Sequence, residues 1–160
     1  MISRAKVTIE RTFQASAEEV WELWTTKDGI EAWWGPEGFS VTVRALDLRP
    51  GGDLLYTMTA TRAGEIEYMK KAGMPLATEN KQTFTEVTPP RRLAYRELVD
   101  FIPGVEPYEV SVEIDFVPVP DGVRIAIAAD RMHDERWTEL AKLGRESELD
   151  RLAKILAARQ

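Results

Sequence analysis

The sequence predicts an α+β fold in which a curved antiparallel sheet of about six or seven strands is wrapped on a long C-terminal helix. Three observations lead there. The stretch from Asp134 to the end, DERWTELAKLGRESELDRLAKILAARQ, is free of Pro and gathers its apolar residues on one side. The segments between Phe39 and Ala129 alternate apolar and polar residues and are separated by Gly, Pro and Asp turn signals. Only one early interruption, SAEEVWELW followed by IEAWW, reads as helix, and it supplies two short helices after the first strand.

In chain order, Lys6–Phe13 alternates with Val7, Ile9 and Phe13 apolar and predicts the first strand. Ser16 and Glu19 have capping-box spacing at the start of the next helix, whose Val20, Leu23 and Trp24 share a face. A turn is expected at Lys27-Asp28-Gly29, then a second short helix stopped by Gly35-Pro36. Phe39–Leu48 predicts a strand, Arg49-Pro50-Gly51-Gly52 a tight hairpin, and DLLYTMTAT a strand with Leu54, Tyr56 and Met58 on one face. Residues 62–80 are the least regular and are expected as a loop carrying two helical turns, ended by Gly73 and Pro75. Lys81–Val87 and Arg92–Val99 predict strands joined by Pro89-Pro90, the latter with Leu93, Tyr95, Glu97 and Val99 on one side. Tyr108–Val117 turns Val110, Val112, Ile114 and Phe116 one way, and a hairpin at Asp121-Gly122 leads into the last strand, VRIAIAA. In the closing helix Asp134 is the N-cap, and Trp137, Leu140, Ala141, Leu149, Leu152, Ile155 and Leu156 form the apolar arc.

Composition narrows the function. At 160 residues with 44% apolar content, one domain spanning 1–160 is expected, with a core of ordinary size. A net charge of −6 argues against a nucleic-acid grip. With no cysteine and a single histidine, His133, neither a thiolate nor a multi-histidine metal site can form, and no metal or cofactor is expected. MISRAKVTIE has no apolar signal core and nothing approaches a membrane span, so a cytoplasmic protein without membrane contact is expected. There is no G-x-S-x-G elbow, phosphate-binding Gly loop or H-E-x-x-H, so the reading leans away from an enzyme. His133 is expected as an exposed residue where the last strand meets the helix.

Four segments, taken together and in order, carry a family resemblance. They are EAWWGPEGF at 31–39, DLRPGG at 47–52, EVTPPRRLAYRE at 86–97 and SELDRLAKIL at 147–156. With these the chain resembles the START-like (SRPBCC) superfamily and, within it, the bacterial group called activator of heat-shock-protein-90 ATPase homologue-like. The resemblance implies the helix-grip fold, which agrees with the element order above. It also implies a cavity for an apolar molecule such as a lipid, hormone or polyketide, with cyclases and aromatases among the members. The group takes its name from a eukaryotic chaperone co-factor with an additional N-terminal domain, so chaperone contact carries over weakly to a single domain.

The cavity between sheet and helix is where ligand-binding residues are sought: Trp33, Trp34, Tyr56, Met58, Phe84, Tyr95, Phe116, Trp137 and Ala141. Individually each could simply be core. Arg145 and Glu148 fall inside the apolar arc, either paired with each other at the helix edge or serving as polar handles in the cavity. Glu97 shares the inward face with Tyr95 and is expected at the rim. Gly144 either leaves room under the helix or is merely tolerated there. Tyr68, Met69 and Met74 in the 62–80 segment form a lid or, equally, a small satellite cluster or a dimer contact. Three readings follow: binding of a small apolar or amphipathic ligand; a cyclase- or hydrolase-like enzyme using Tyr or Glu groups of the same pocket; and an interaction protein that dimerises or meets a chaperone through 62–80.

Overall fold

A computed structural model describes residues 6–159. Met1–Ala5, part of the N-terminal stretch considered above, and Gln160, the last residue of the expected helix, lie outside the described residues. The elements run β1 (Val7–Phe13), α1 (Ala17–Thr25), α2 (Lys27–Trp33), β2 (Phe39–Leu46), β3 (Asp53–Ala60), α3 (Ala63–Lys71), β4 (Ala77–Thr88), β5 (Arg92–Val99), β6 (Tyr108–Val119), β7 (Gly122–Ala129) and α4 (Glu135–Ala158). The seven strands form one antiparallel sheet in the order β1-β7-β6-β5-β4-β3-β2. From β2 to β7 each strand pairs with its successor, and β1 closes the far edge beside β7, so α1 and α2 bridge the two ends of the sheet. Bulges between Val43 and Ala45 and between Phe84 and Glu86 shift the register, and such bulges bend and twist a sheet.

The two short helices are joined without the expected turn. Thr26 is at once the C-cap of α1 and the N-cap of α2, its Oγ1 accepting from the Gly29 N–H at 3.1 Å, so α2 begins at Lys27. Ser16 Oγ accepts from the Glu19 N–H at 3.0 Å as its spacing predicts, but the Glu19 carboxylate turns to Arg159 at 3.3 Å instead of completing the capping box. Trp33 is fully buried, and its Nε1–H donates to the Leu23 carbonyl at 2.7 Å, locking α2 onto α1. Trp21 and Trp24 meet Phe116 of β6 edge-on, at centroid distances of 5.2 and 5.4 Å.

The 62–80 segment departs most from expectation. Nine residues of it form α3, and β4 starts at Ala77, four residues before the expected Lys81. The early part of β4 pairs with β3 through Ala77↔Thr59 and Thr78↔Met58. Its partly buried positions are Thr78 and Asn80, both polar, so no apolar alternation announces it. Strand β2 stops at Leu46 rather than Leu48, and β6 continues to Val119.

Helix α4 begins on the Asp134 cap, which accepts from the Trp137 N–H at 2.8 Å. Its two halves differ. Leu149, Leu152 and Leu156 are buried in the core, whereas Leu140, expected on the same face, is 37% exposed. The C-terminal half lies on packed side chains; the N-terminal half lies over a cavity.

Candidate functional site

That cavity has a volume of about 350 Å³, bounded by the inner faces of β3–β7, the α1–α2 unit, α3 and the N-terminal half of α4. At roughly 30 Å³ per water-sized group, it has room for about a dozen non-hydrogen atoms. The wall is mostly apolar: Trp24, Trp33 and Trp34 at one end, Met58, Val110 and Ile114 from the sheet, and Met132, Trp137, Leu140 and Ala141 from the entry to α4. Tyr68 and Met69 of α3 and Met74 beyond it lie along the wall as well. Met69 is buried, while Tyr68 is 48% exposed.

The loop joining α2 to β2 is held against α4 by one side chain. Arg151 Nη1 donates to the carbonyls of Gly35 at 2.8 Å, Phe39 at 3.0 Å, Pro36 at 3.2 Å and Trp34 at 3.4 Å. Ser147 Oγ accepts from the Glu37 N–H at 3.0 Å. Gly35 and Gly38 turn this loop with φ of +88° and +92°, a region L side chains rarely adopt. The W-W-G-P-E-G-F sequence is therefore a clasp that seats Trp34 in the wall at 8% exposure.

The polar groups converge from four elements, α4, β3, β4 and β5. Arg145 on α4 pairs with Glu97 on β5 at 3.6 Å, across the cavity rather than along the helix to Glu148. Glu97 also accepts from the buried Gln82 Nε2 at 3.4 Å. It lines the cavity with its charge partnered, instead of sitting at an unpaired rim. Glu148 is half-buried and lines the same cavity. Burial pushes its carboxyl up to about 8; the nearby Glu97 charge adds to this, against the pull of Arg145, the Gly35 N–H and Arg151. Near neutral pH it therefore carries a proton and can both donate and accept a hydrogen bond. Tyr56 and Tyr95 are 3% and 4% exposed. Burial, reinforced by Glu97, raises both phenols well above the ordinary range, so they stay protonated. Asn80 and Thr78 of β4 complete the polar part of the wall.

Of the residues singled out from the sequence, Trp33, Trp34, Tyr56, Met58, Tyr95, Glu97, Trp137, Ala141, Gly144, Arg145 and Glu148 lie on the cavity, as do Tyr68, Met69 and Met74. Phe84 and Phe116 are buried at 3% and 1% exposure but belong to the packed core rather than the lining. Phe116 is covered by the α1 tryptophans, a contact that strand alternation cannot reveal. Sequence reasoning passed over Trp24, Thr78, Asn80, Phe101 and Met132, which also line the cavity. Trp24 was legible only as the apolar face of α1, and Asn80 lay in a segment read as loop. His133 is exposed, as its position predicts, with Nδ1 2.8 Å from the Tyr108 hydroxyl. Among the described residues no cluster of His, Asp and Glu could hold a metal ion, and no helix is long and apolar enough to cross a membrane.

A seven-stranded antiparallel sheet carrying a long C-terminal helix, with two short helices after the first strand, defines the helix-grip class. Residues 14–157 match the family described as Activator of Hsp90 ATPase homolog 1-like protein, and the chain belongs to that family. Solved structures share the fold. A protein from Chromobacterium violaceum superposes with a TM-score of 0.78 at 22% identity, covering 95% of this chain and 96% of that one. The AHSA1 protein from Silicibacter pomeroyi gives 0.75 at 22% identity, over 98% and 100% of the two chains. An AHSA1-like protein from Aeromonas hydrophila gives 0.71 at 23%, over 96% and 93%. No curated protein is similar enough in sequence to count as a relative.

Proposed function

We propose that this protein binds a small apolar or amphipathic molecule in the cavity between the sheet and the N-terminal half of α4. The observation that carries the reading is a cavity of about 350 Å³ between the sheet and α4, open to the surface and apolar on most of its wall, with a few polar groups among the apolar ones. Ligand sites have this composition, with a few fixed polar groups orienting an otherwise apolar guest. Native mass spectrometry of the purified protein, followed by denaturation and extraction, tests the proposal. A discrete small-molecule adduct is expected. A bare protein that also gives no thermal shift with apolar compounds would end the reading.

A second reading, acid–base turnover of the bound molecule, is favoured by one observation: the carboxyl of Glu148, which burial pushes up to about 8, shares the cavity wall with Glu97 and two buried tyrosines. Under that reading Glu148→Gln and Glu97→Gln abolish conversion of an extracted compound while its binding survives. Under simple binding, the compound is recovered unchanged from the wild type.

A further inference from the structure

We propose that the cavity selects an uncharged molecule with a single oxygen head (a phenol, alcohol or ketone) on an apolar body, and rejects anionic amphiphiles such as carboxylates. The inference rests on the binding function proposed above and specifies the chemistry of its ligand.

Two features lead to it. Among the described residues the one guanidinium lining the cavity, that of Arg145, is already engaged by Glu97 at 3.6 Å, with both side chains largely buried. A ligand carboxylate would have to share Arg145 with Glu97 or displace it, which sets a second anion against Glu97 in a largely buried site or leaves the Glu97 charge without its cation, and both are unfavourable. The protonated state of Glu148 supports the same conclusion, since among the described residues the wall then carries one cation, Arg145, and one anion, Glu97, and is neutral in sum. The second feature is the few polar groups on an otherwise apolar wall: the Glu148 carboxyl, the Asn80 amide and the Thr78 hydroxyl all line the cavity. Such groups donate to and accept from a neutral oxygen, while the tryptophans and methionines around them suit an apolar body.

Calorimetric titration at pH 7 with 4-pentylphenol, 4-pentylbenzoate and pentylbenzene separates the possibilities, because the three share a body and are of a size that fits. The phenol is expected to bind at least tenfold more tightly than the benzoate and several-fold more tightly than pentylbenzene. Glu97→Gln frees Arg145 and is expected to improve the benzoate at least tenfold relative to the phenol. If Glu97→Gln does not fold, the wild-type ranking decides. A benzoate that binds wild type as well as the phenol, or a Glu97→Gln variant that leaves their ratio unmoved, overturns the charge argument. Pentylbenzene matching the phenol overturns the oxygen head. Each of these outcomes leaves binding itself intact, whereas failure of all three compounds to bind overturns the cavity reading and this inference together.

Discussion

Glu148 and Arg151 sit one helical turn apart on α4 and do different work. Glu148 has its carboxyl raised from 4.5 to about 8, first by burial and then by the Glu97 charge, with Arg145 and Arg151 opposing and Tyr56 and Tyr95 close by. A carboxyl that holds its proton more tightly folded than unfolded contributes stability in full below the unfolded value. That contribution is lost as pH rises through the folded value. Between about pH 4.5 and 8 the wild type should therefore lose stability at up to about 1.4 kcal/mol per pH unit from this group. Glu148→Gln, which mimics the protonated form, should match wild type near pH 5 and exceed it by a few kcal/mol at pH 8.5. Urea denaturation at the two pH values checks this; equal slopes in both proteins would remove Glu148 as the titrating group. Arg151 binds four carbonyls of the 34–39 loop through one nitrogen. Arg151→Met keeps the aliphatic stem and loses those bonds, which should cost about 2–3 kcal/mol, read as a lower denaturation midpoint at an unchanged slope. The sequence made Arg145 and Glu148 conspicuous because they interrupt an apolar arc. It could not show that Arg145 pairs with Glu97, since that contact depends on how α4 lies on β5, and helical spacing favoured the local i,i+3 pair instead. Arg151 drew no notice for the same reason: its partners are backbone atoms more than a hundred positions away.

Among the elements, α3 has the least holding it. Its N-cap, Arg62, makes no side-chain capping bond, and Met69 is its only buried residue. The Arg62–Glu65 pair at its start is exposed on the arginine side and adds little. Helix α3 should therefore open more readily than the sheet, and its amides should exchange well before those of β6 and β7. A saturating cavity ligand touching Tyr68 and Met69 should slow α3 exchange about tenfold or more, measured by hydrogen–deuterium exchange with and without 4-pentylphenol. Unchanged α3 rates at saturation would mean that the helix does not cover the guest. The strands were legible wherever inward positions are apolar, as in β6 with Val110, Val112, Ile114 and Phe116. The start of β4 was not, because its Thr78 and Asn80 line a cavity instead of a core. The pattern that identifies a strand is the pattern of a filled interior, and it fades where the interior is hollow.

At the scale of the molecule, element order, antiparallel pairing and the closing helix were readable from periodicity and turn chemistry, because each depends on local signals repeated many times. The cavity was readable only as an expectation. Aromatic and methionine residues look alike in sequence whether they fill space or surround it, as Phe116 and Trp34 show: both are buried, but only Trp34 lines the cavity. Gly144 offers the most direct test that this space binds the ligand. It lies on the cavity wall, and a Cβ built there would meet nothing within 4 Å. Its replacement by Phe also recovers part of glycine's roughly 1 kcal/mol helix penalty relative to Ala. Gly144→Phe should therefore fold at least as stably as wild type while placing a ring in the guest's position. Titration of 4-pentylphenol against both proteins, followed by tryptophan fluorescence, is the deciding measurement. Saturable binding to wild type, weakened tenfold or more in a well-folded Gly144→Phe, is the expected result; equal affinity in the two proteins, or none in either, would contradict the cavity as the binding site.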